Sequence, residues 1–87
     1  MTTTNGEWFF YIVRCKDNSL YSGMTNDLDV RIKKHNEGTG AKYTSSRRPV
    51  TLIHSERYKN ASEAKKRELE VKRWPKIKKE QLVEDLL

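Results

Sequence analysis

The sequence predicts an α+β fold with its elements in the order β, β, α, β, α, α. Three observations support this prediction. An aromatic run lies early in the chain, a polar turn follows it, and two stretches with helix-capping residues lie before and after a later apolar run. With 87 residues, the chain is expected to form one domain. Its core would span about residues 8–75, and a C-terminal helix would cover about residues 76–86.

The first two strands are predicted to form a hairpin. Residues 8–13 read WFFYIV, and apolar side chains on both faces predict a strand that is covered on both sides. The polar residues 16–19 predict a turn, after which residues 20–24 can return as the second strand. This pairing places Tyr11 and Tyr21 on neighbouring strands.

A first helix is predicted to follow the hairpin. Residues 25–27 read TND and offer capping oxygens, while Gly38 and Gly40 are expected to end the helix. The segment 39–49 is then expected to be a basic loop.

The second half of the chain predicts a strand and two more helices. The strand covers residues 50–54, and Asn60 with Glu63 resembles a capping box that opens the second helix. Pro75 is expected to stop this helix near Trp74 and to lie in the first turn of the third helix. The third helix would carry four apolar side chains on or near one face: Leu82, Val83, Leu86 and Leu87.

Positive charge is concentrated in the later part of the chain, whose net charge is +6. Residues 1–37 hold five basic and five acidic side chains, whereas residues 38–80 hold thirteen basic and five acidic ones. This asymmetry favours a polyanionic partner, because each Lys or Arg that meets a phosphate releases condensed counterions. The alternative is a solvated helix surface that keeps the protein in solution.

The composition favours a cytoplasmic protein without membrane contact. Cys15 is the one cysteine and cannot form an internal disulfide, so we interpret it as a packing residue. No apolar run approaches membrane-spanning length, and residues 1–6 show no signal segment. The spacing of the cysteine and the histidines does not indicate zinc.

Helical geometry identifies polar residues at the border of the core. Arg31 and His35 lie within about 60° of Leu28 around the first helix, at the rim of its apolar face. In the second helix, Glu68 interrupts the face that carries Ala64 and Val71. A carboxylate there costs free energy unless it pairs with a cation or binds a metal.

The residue spacing resembles that of the GIY-YIG nuclease superfamily, and of its small single-domain bacterial members in particular. The pattern is two tyrosines, a glycine two residues after the second tyrosine, and an arginine ten residues after it. The resemblance extends from Trp8 to about Pro75. It is carried by Tyr11, Tyr21, Gly23, Arg31, His35, the segment 40–44 (GAKYT) and Glu68.

This resemblance implies a three-stranded antiparallel sheet flanked by helices, and a metal-dependent endonuclease that cleaves DNA, with structure selectivity and a link to DNA repair. Glu68 would bind one Mg²⁺ or Mn²⁺ ion. Tyr21 would act as the general base that takes a proton from the attacking water, and Arg31 would bind the scissile phosphate. Tyr11 and His35 would position that site or share a proton with it.

Each site residue also has a plain structural interpretation. The two tyrosines can be ordinary strand aromatics, and Arg31 a surface residue of the helix. His35 can be a charge near the helix C-terminus, and Glu68 can pair with Lys65 or Lys72.

The basic loop is a candidate nucleic-acid contact. Lys42, Tyr43, Arg47 and Arg48 could meet the DNA backbone, and the alternative is a solvated basic turn. The preferred substrate structure stays open at this point, and RNA is an open alternative to DNA.

Two other functions compete with the nuclease. Met24 follows the motif glycine where some active relatives carry lysine, which favours a nucleic-acid-binding module without turnover. Alternatively, the third helix could dock on an unknown protein partner. The sequence otherwise favours a monomer.

Overall fold

The computed structural model describes residues 6–84. Its elements are β1 (Trp8–Arg14), β2 (Leu20–Thr25), α1 (Leu28–Glu37), α2 (Lys42–Ser45), β3 (Thr51–Tyr58), α3 (Ala61–Lys72) and α4 (Lys76–Glu84). The predicted α+β fold is confirmed. The segment 39–49 differs from the expected loop, because it contains the short helix α2, in which Ser45 N–H donates to the Ala41 carbonyl at 3.1 Å.

The sheet is three-stranded and antiparallel, with the order β2-β1-β3. The central position of β1 explains its apolar sequence, because each of its residues from Phe10 to Val13 is fully buried. In the pairing of β1 with β2, Tyr11 lies opposite Gly23. The third strand continues to Tyr58, beyond its predicted end at His54.

Apolar clusters lie on both faces of the sheet. One cluster packs against Leu28 and Ile32 of α1 and consists of Tyr11, Val13, Cys15 and Val50. The other consists of Phe10, Ile12 and Val71, with Trp74, Leu82 and Val83 packed against it. Leu82 and Val83 of α4 thus help to cover the core, whereas Leu86 and Leu87 lie outside the described residues.

The ends of α1 are fixed as the sequence predicts. The Asp27 side chain accepts a hydrogen bond from the Val30 N–H at 3.1 Å, and Gly38, with φ of 89°, ends the helix. These caps set the position of α1 along β1 and so determine where Arg31 and His35 meet the sheet. The predicted cap of α3 is also present, since Asn60 accepts from the Glu63 N–H at 2.9 Å.

Within residues 6–84, no helix combines the length and the apolar character needed to cross a membrane.

Candidate active site

A hydrogen-bonded chain of four side chains joins β1, α1 and α2, and we call it the Tyr11 network. The Tyr11 hydroxyl lies 2.7 Å from Nε2 of His35 and accepts from Nε of Arg31 at 3.3 Å. On the other side of the imidazole, Nδ1 lies 2.8 Å from the Thr44 hydroxyl. The structure therefore brings together three of the predicted site residues, Tyr11, Arg31 and His35.

The direction of each hydrogen bond follows from the two ends of the Tyr11 network, which are Thr44 and Arg31. The Thr44 hydroxyl donates to the Ala41 carbonyl at 3.2 Å, so its oxygen accepts from Nδ1–H of His35. The unprotonated Nε2 then accepts from the Tyr11 hydroxyl, whose oxygen accepts from Arg31. Each hydrogen bond along the network thus pairs a donor with an acceptor, which fixes one tautomer of His35.

Burial keeps the two central groups of the network uncharged. Desolvation, with the nearby positive charge of Arg31, lowers the pKa of His35 to about 4. Desolvation also raises the pKa of Tyr11, although the hydrogen bond from Arg31 offsets part of this effect. Both side chains belong to fully buried residues, so His35 is a neutral imidazole at neutral pH rather than the helix-terminal charge that the sequence allowed.

Two glycines make room for this network. A Cβ atom at Gly23 would lie 2.5 Å from the Tyr11 hydroxyl oxygen and 2.7 Å from its Cζ. A Cβ at Gly40 would lie 2.7 Å from Nδ1 of His35. The motif glycine is thus required by the ring that crosses it, and the backbone at neither position has a positive φ.

Tyr21 lies beside the network without joining its hydrogen bonds. Its ring makes an edge contact with His35 at a centroid distance of 5.4 Å and stacks on Tyr43 at 5.8 Å. Among residues 6–84, its hydroxyl has no hydrogen-bond partner. Tyr21 is therefore half-buried and fixed by its ring, while its hydroxyl is available to another molecule.

Glu68 is a buried carboxylate held by two ammonium groups. Its side chain is 6% exposed, and its two oxygens lie 3.0 Å from Lys65 Nζ and 3.1 Å from Lys72 Nζ. Oε1 has no hydrogen bond within the described residues, so Lys65 is close enough for an ion pair but does not donate to it in good geometry. This unsatisfied buried oxygen is an opening for a cation, and the paired interpretation from the sequence is also present.

Lys72 connects the two parts of the site. Its ammonium lies 5.6 Å from the centroid of the Tyr21 ring while it pairs with Glu68. Across residues 6–84, no hydrogen bond joins Glu68 directly to Tyr11, Arg31 or His35. Nor does this part of the chain contain a cluster of three or more His, Cys, Asp or Glu side chains that could hold a metal.

The predicted nucleic-acid residues lie on and after α2. The Arg47 guanidinium covers the Tyr43 ring at 3.9 Å and pairs with Asp17 at 3.2 Å, which ties this segment to the hairpin turn. The Arg48 Nε donates to the Ser45 carbonyl at 2.8 Å. Lys42 and Tyr43 are exposed. Tyr43 thus has Tyr21 on one side of its ring and Arg47 over the ring, so it is not a free platform for a base.

Thr44 is the member of the network to which sequence reasoning assigned no role, although it lies in the segment 40–44 that carries part of the family resemblance. Nothing in the spacing of a threonine in a basic segment predicts a hydrogen bond to a histidine nine residues earlier. The close packing of Gly40 on His35 is the related signal, because it brings the start of α2 against the imidazole.

A second polar cluster, the Glu56 cluster, links β3 to α3 and was also missed. Its carboxylate accepts from His54 Nε2 at 2.8 Å, from the Tyr58 hydroxyl at 2.7 Å and from Arg67 at 2.9 and 3.2 Å. These bonds lower the pKa of Glu56 against the effect of its burial, and burial with the Glu56 contact raises the pKa of Tyr58 to about 12. The part of β3 beyond residue 54 pairs with β1, where Trp8 lies opposite Tyr58 and Phe10 opposite Glu56.

Comparison with known proteins supports the family suggested by the sequence. The model of the GIY-YIG catalytic domain matches residues 7–81. A UPF0213 protein of Bacillus velezensis is 53% identical over 77 residues, which cover 88% of this chain and 78% of the relative. A UPF0213 protein of Staphylococcus aureus is 51% identical over 77 residues, which cover 88% and 94%.

Two solution NMR structures are also similar to this fold. The structure of a UPF0213 protein from Bacillus halodurans has a TM-score of 0.59 at 47% identity. The match covers 90% of this chain and 83% of the Bacillus halodurans chain. The structure of a protein from E. faecalis has a TM-score of 0.66 at 40% identity. The match covers 99% of this chain and 91% of the E. faecalis chain. Since the family model matches nearly the whole described chain and the sheet has the expected topology, the chain belongs to the GIY-YIG family, a family of nucleases.

Proposed function

We propose that this chain is a divalent-metal-dependent endonuclease that hydrolyses phosphodiester bonds in DNA. One observation carries the proposal: the Tyr11 network positions Arg31 while Tyr21, beside it, keeps its hydroxyl free. The buried carboxylate of Glu68 pairs with Lys72 at 3.1 Å, and the Lys72 ammonium lies 5.6 Å from the centroid of the Tyr21 ring. GIY-YIG nucleases act on nucleic acids and are generally dependent on divalent metal ions.

Arg31 is proposed to bind the scissile phosphate. Its Nε is held by Tyr11, and its terminal nitrogens make no hydrogen bond to residues 6–84. A guanidinium with one anchored nitrogen and two free ones is oriented before substrate arrives and can donate to two phosphate oxygens. Such preorganised donors stabilise the charge that builds up in the transition state.

Of the two motif tyrosines, Tyr21 is the better candidate for the general base. The Tyr11 hydroxyl is buried, donates to His35, and has a pKa raised by desolvation, so it is poorly suited to accept a proton from water. The Tyr21 hydroxyl has neither a partner in the described residues nor full burial. The Lys72 ammonium lies 5.6 Å from the centroid of its ring, so a positive charge stands beside the proposed base.

Glu68 is proposed to hold one Mg²⁺ or Mn²⁺ ion. The residues present fit a hard cation, because Oε1 of Glu68 is buried and accepts no hydrogen bond in good geometry, although the Lys65 ammonium lies 3.0 Å away. A bound divalent ion would supply charge stabilisation for the leaving oxygen. With a single protein carboxylate, most of the remaining ligands would be water and phosphate oxygens.

The basic segment around α2 is proposed to contact the DNA backbone. It carries Lys42, Arg47 and Arg48, and Tyr43 joins it to the proposed base by stacking on Tyr21. Arg47 and Arg48 are partly engaged in contacts within the chain, so Lys42 is the freer cation. Phosphate contacts of this kind give affinity without sequence preference.

Cleavage of labelled nucleic acids tests the function. Purified protein is incubated with duplex, flap, fork and single-stranded DNA and with RNA, in Mg²⁺, Mn²⁺ or chelator. We expect metal-dependent DNA cleavage that Glu68→Gln abolishes and that Glu70→Gln retains, because Glu70 is exposed and pairs only with Arg67 among residues 6–84. Cleavage by Glu68→Gln at the rate of the parent would remove Glu68 from the site.

A nucleic-acid-binding module without turnover is the second candidate. The two lysines already paired with Glu68, and Met24 at the position of a lysine in some active relatives, favour it. This candidate predicts salt-sensitive DNA binding that Glu68→Gln leaves unchanged and that Arg47→Met with Arg48→Met weakens, together with no cleavage in any metal. Binding that is equal at low and high salt would exclude it.

A further inference from the structure

We propose that Lys65 and Lys72 occupy the cation position at Glu68 in the metal-free protein and leave it when a divalent ion binds. This inference rests on the proposed metal role of Glu68. It assigns a function to two lysines that lie outside the nuclease motifs: their ammonium groups would compete with the divalent ion for the Glu68 carboxylate.

The three residues lie along one face of α3. Lys65 is three residues before Glu68 and Lys72 is four residues after it, so the two ammonium groups approach the carboxylate from opposite ends of the helix. Each ammonium lies against a different oxygen, Lys65 at Oε1 and Lys72 at Oε2. Both oxygens that could bind a metal are therefore covered by positive charge.

The exposure of the three side chains determines which of them can move. Glu68 is 6% exposed and is held by its surroundings, whereas Lys65 is 56% and Lys72 is 44% exposed. A half-exposed lysine regains water when it swings outward, so its release is inexpensive. A buried carboxylate without any cation is costly, so one positive partner must replace the other.

Release of Lys72 would take place next to the proposed base. Its ammonium lies over Tyr21, and its charge contributes to lowering the pKa of Lys79, after the larger effect of burial. A freed Lys72 ammonium at this edge can meet a substrate phosphate. It could thus supply the cation that Met24 does not provide after the motif glycine.

Direct binding of Mn²⁺ tests the exchange without measuring cleavage. The free Mn²⁺ signal in electron paramagnetic resonance is titrated with the full chain, with Lys65→Met, with Lys72→Met and with the double variant. Removing a competing ammonium should tighten Mn²⁺ binding about two- to tenfold in each single variant, and further in the double variant. Lys66→Met is the matched control, because Lys66 is exposed on the same helix and forms no ion pair within residues 6–84.

Thermal unfolding with and without Mn²⁺ gives a second readout, since the lysine variants leave Glu68 short of charge and should melt lower without metal. The rise in Tm on adding Mn²⁺ should be larger in Lys65→Met and Lys72→Met than in the parent. If the parent and the lysine variants had equal Mn²⁺ affinities and equal Tm shifts, the exchange would be overturned. If Glu68→Gln still lost Mn²⁺ binding in that case, the metal role of Glu68 would stand. Binding that is unchanged in Glu68→Gln would overturn both.

Discussion

The Tyr11 network and the Glu56 cluster contain a similar set of side chains on opposite faces of the sheet. Each joins a tyrosine, a histidine and an arginine to a strand, and each is held by hydrogen bonds of 2.7 to 3.3 Å. The Glu56 cluster has a carboxylate at its centre that accepts four hydrogen bonds. The Tyr11 network has no carboxylate, and it leaves the Arg31 terminal nitrogens without a partner in residues 6–84.

The two clusters differ in whether the charge of their arginine is paired with a carboxylate. In the Glu56 cluster the arginine charge is neutralised within the protein, since Arg67 pairs with Glu56 and Glu70. In the Tyr11 network the positive charge of Arg31 is oriented by Tyr11 but is not neutralised by an acidic partner within residues 6–84. A charge that is neutralised within the protein stabilises the fold, whereas an oriented and unneutralised charge is suited to bind an anion.

The largest contrast is expected between the two arginines. Arg31→Met should reduce cleavage by about 10³-fold, equivalent to about 4 kcal/mol, because one oriented phosphate donor is lost. Arg67→Met should leave the cleavage rate per folded molecule unchanged. It should lower the free energy of unfolding by about 2 kcal/mol, since Glu56 loses its cation. Urea unfolding measures the stability of each variant, and single-turnover cleavage measures its activity. If both variants lost cleavage without a change in stability, the distinction between a substrate-binding Arg31 and a structural Arg67 would be contradicted.

Acid should destabilise the protein through His35. Its pKa is about 4 when folded and near 6.5 when unfolded, so the unfolded chain binds a proton first as the pH falls. Stability is therefore lost between about pH 6.5 and pH 4. From pH 7 to pH 4.5, the parent should lose about 2 kcal/mol more than His35→Gln does.

Urea unfolding of both proteins at the two pH values measures this difference. The variant also serves as the control for the carboxylates, which titrate equally in both proteins. Equal losses in the parent and in His35→Gln would show that His35 is not held neutral by its burial.

The smallest contrast concerns the two tyrosine hydroxyls. Tyr58→Phe removes one hydrogen bond to Glu56 and should cost about 1 kcal/mol of stability without changing cleavage. Tyr11→Phe leaves Nε2 of His35 unpaired and frees Arg31, so it should cost about 1 to 2 kcal/mol and reduce cleavage about tenfold. Thermal unfolding and cleavage of the same preparations compare them, and equal cleavage by the two variants would count against a positioning role for Tyr11.

Local sequence signals predicted most of the elements. The apolar run of β1, the turn before β2 and the caps at Asp27 and Asn60 each have a direct physical meaning, and the structure contains all of them. Helical spacing also directed Arg31 and His35 toward the core, although His35 is fully buried and does not lie at the border of the core as predicted. These features depend on neighbours within a few residues, which a sequence displays.

The features that sequence reasoning missed depend on contacts between distant segments. Thr44 meets His35 only because α2 folds back onto α1, and Arg67 meets Glu56 only because α3 packs near β3. The alternation of His54, Glu56 and Tyr58 along β3 was a usable signal, since residues two apart share a face of a strand. Nothing comparable marks Thr44 or the approach of Lys72 to Tyr21.

The close approach of Tyr11 to Gly23 links the evolutionary histories of the two positions. While a tyrosine ring crosses residue 23, any substitution there adds a Cβ about 2.5 Å from the hydroxyl oxygen. Relatives that keep this tyrosine should therefore keep the glycine, and a side chain at position 23 should be found together with a smaller residue at position 11. Each position determines which mutations the other can accept, so the two are expected to covary.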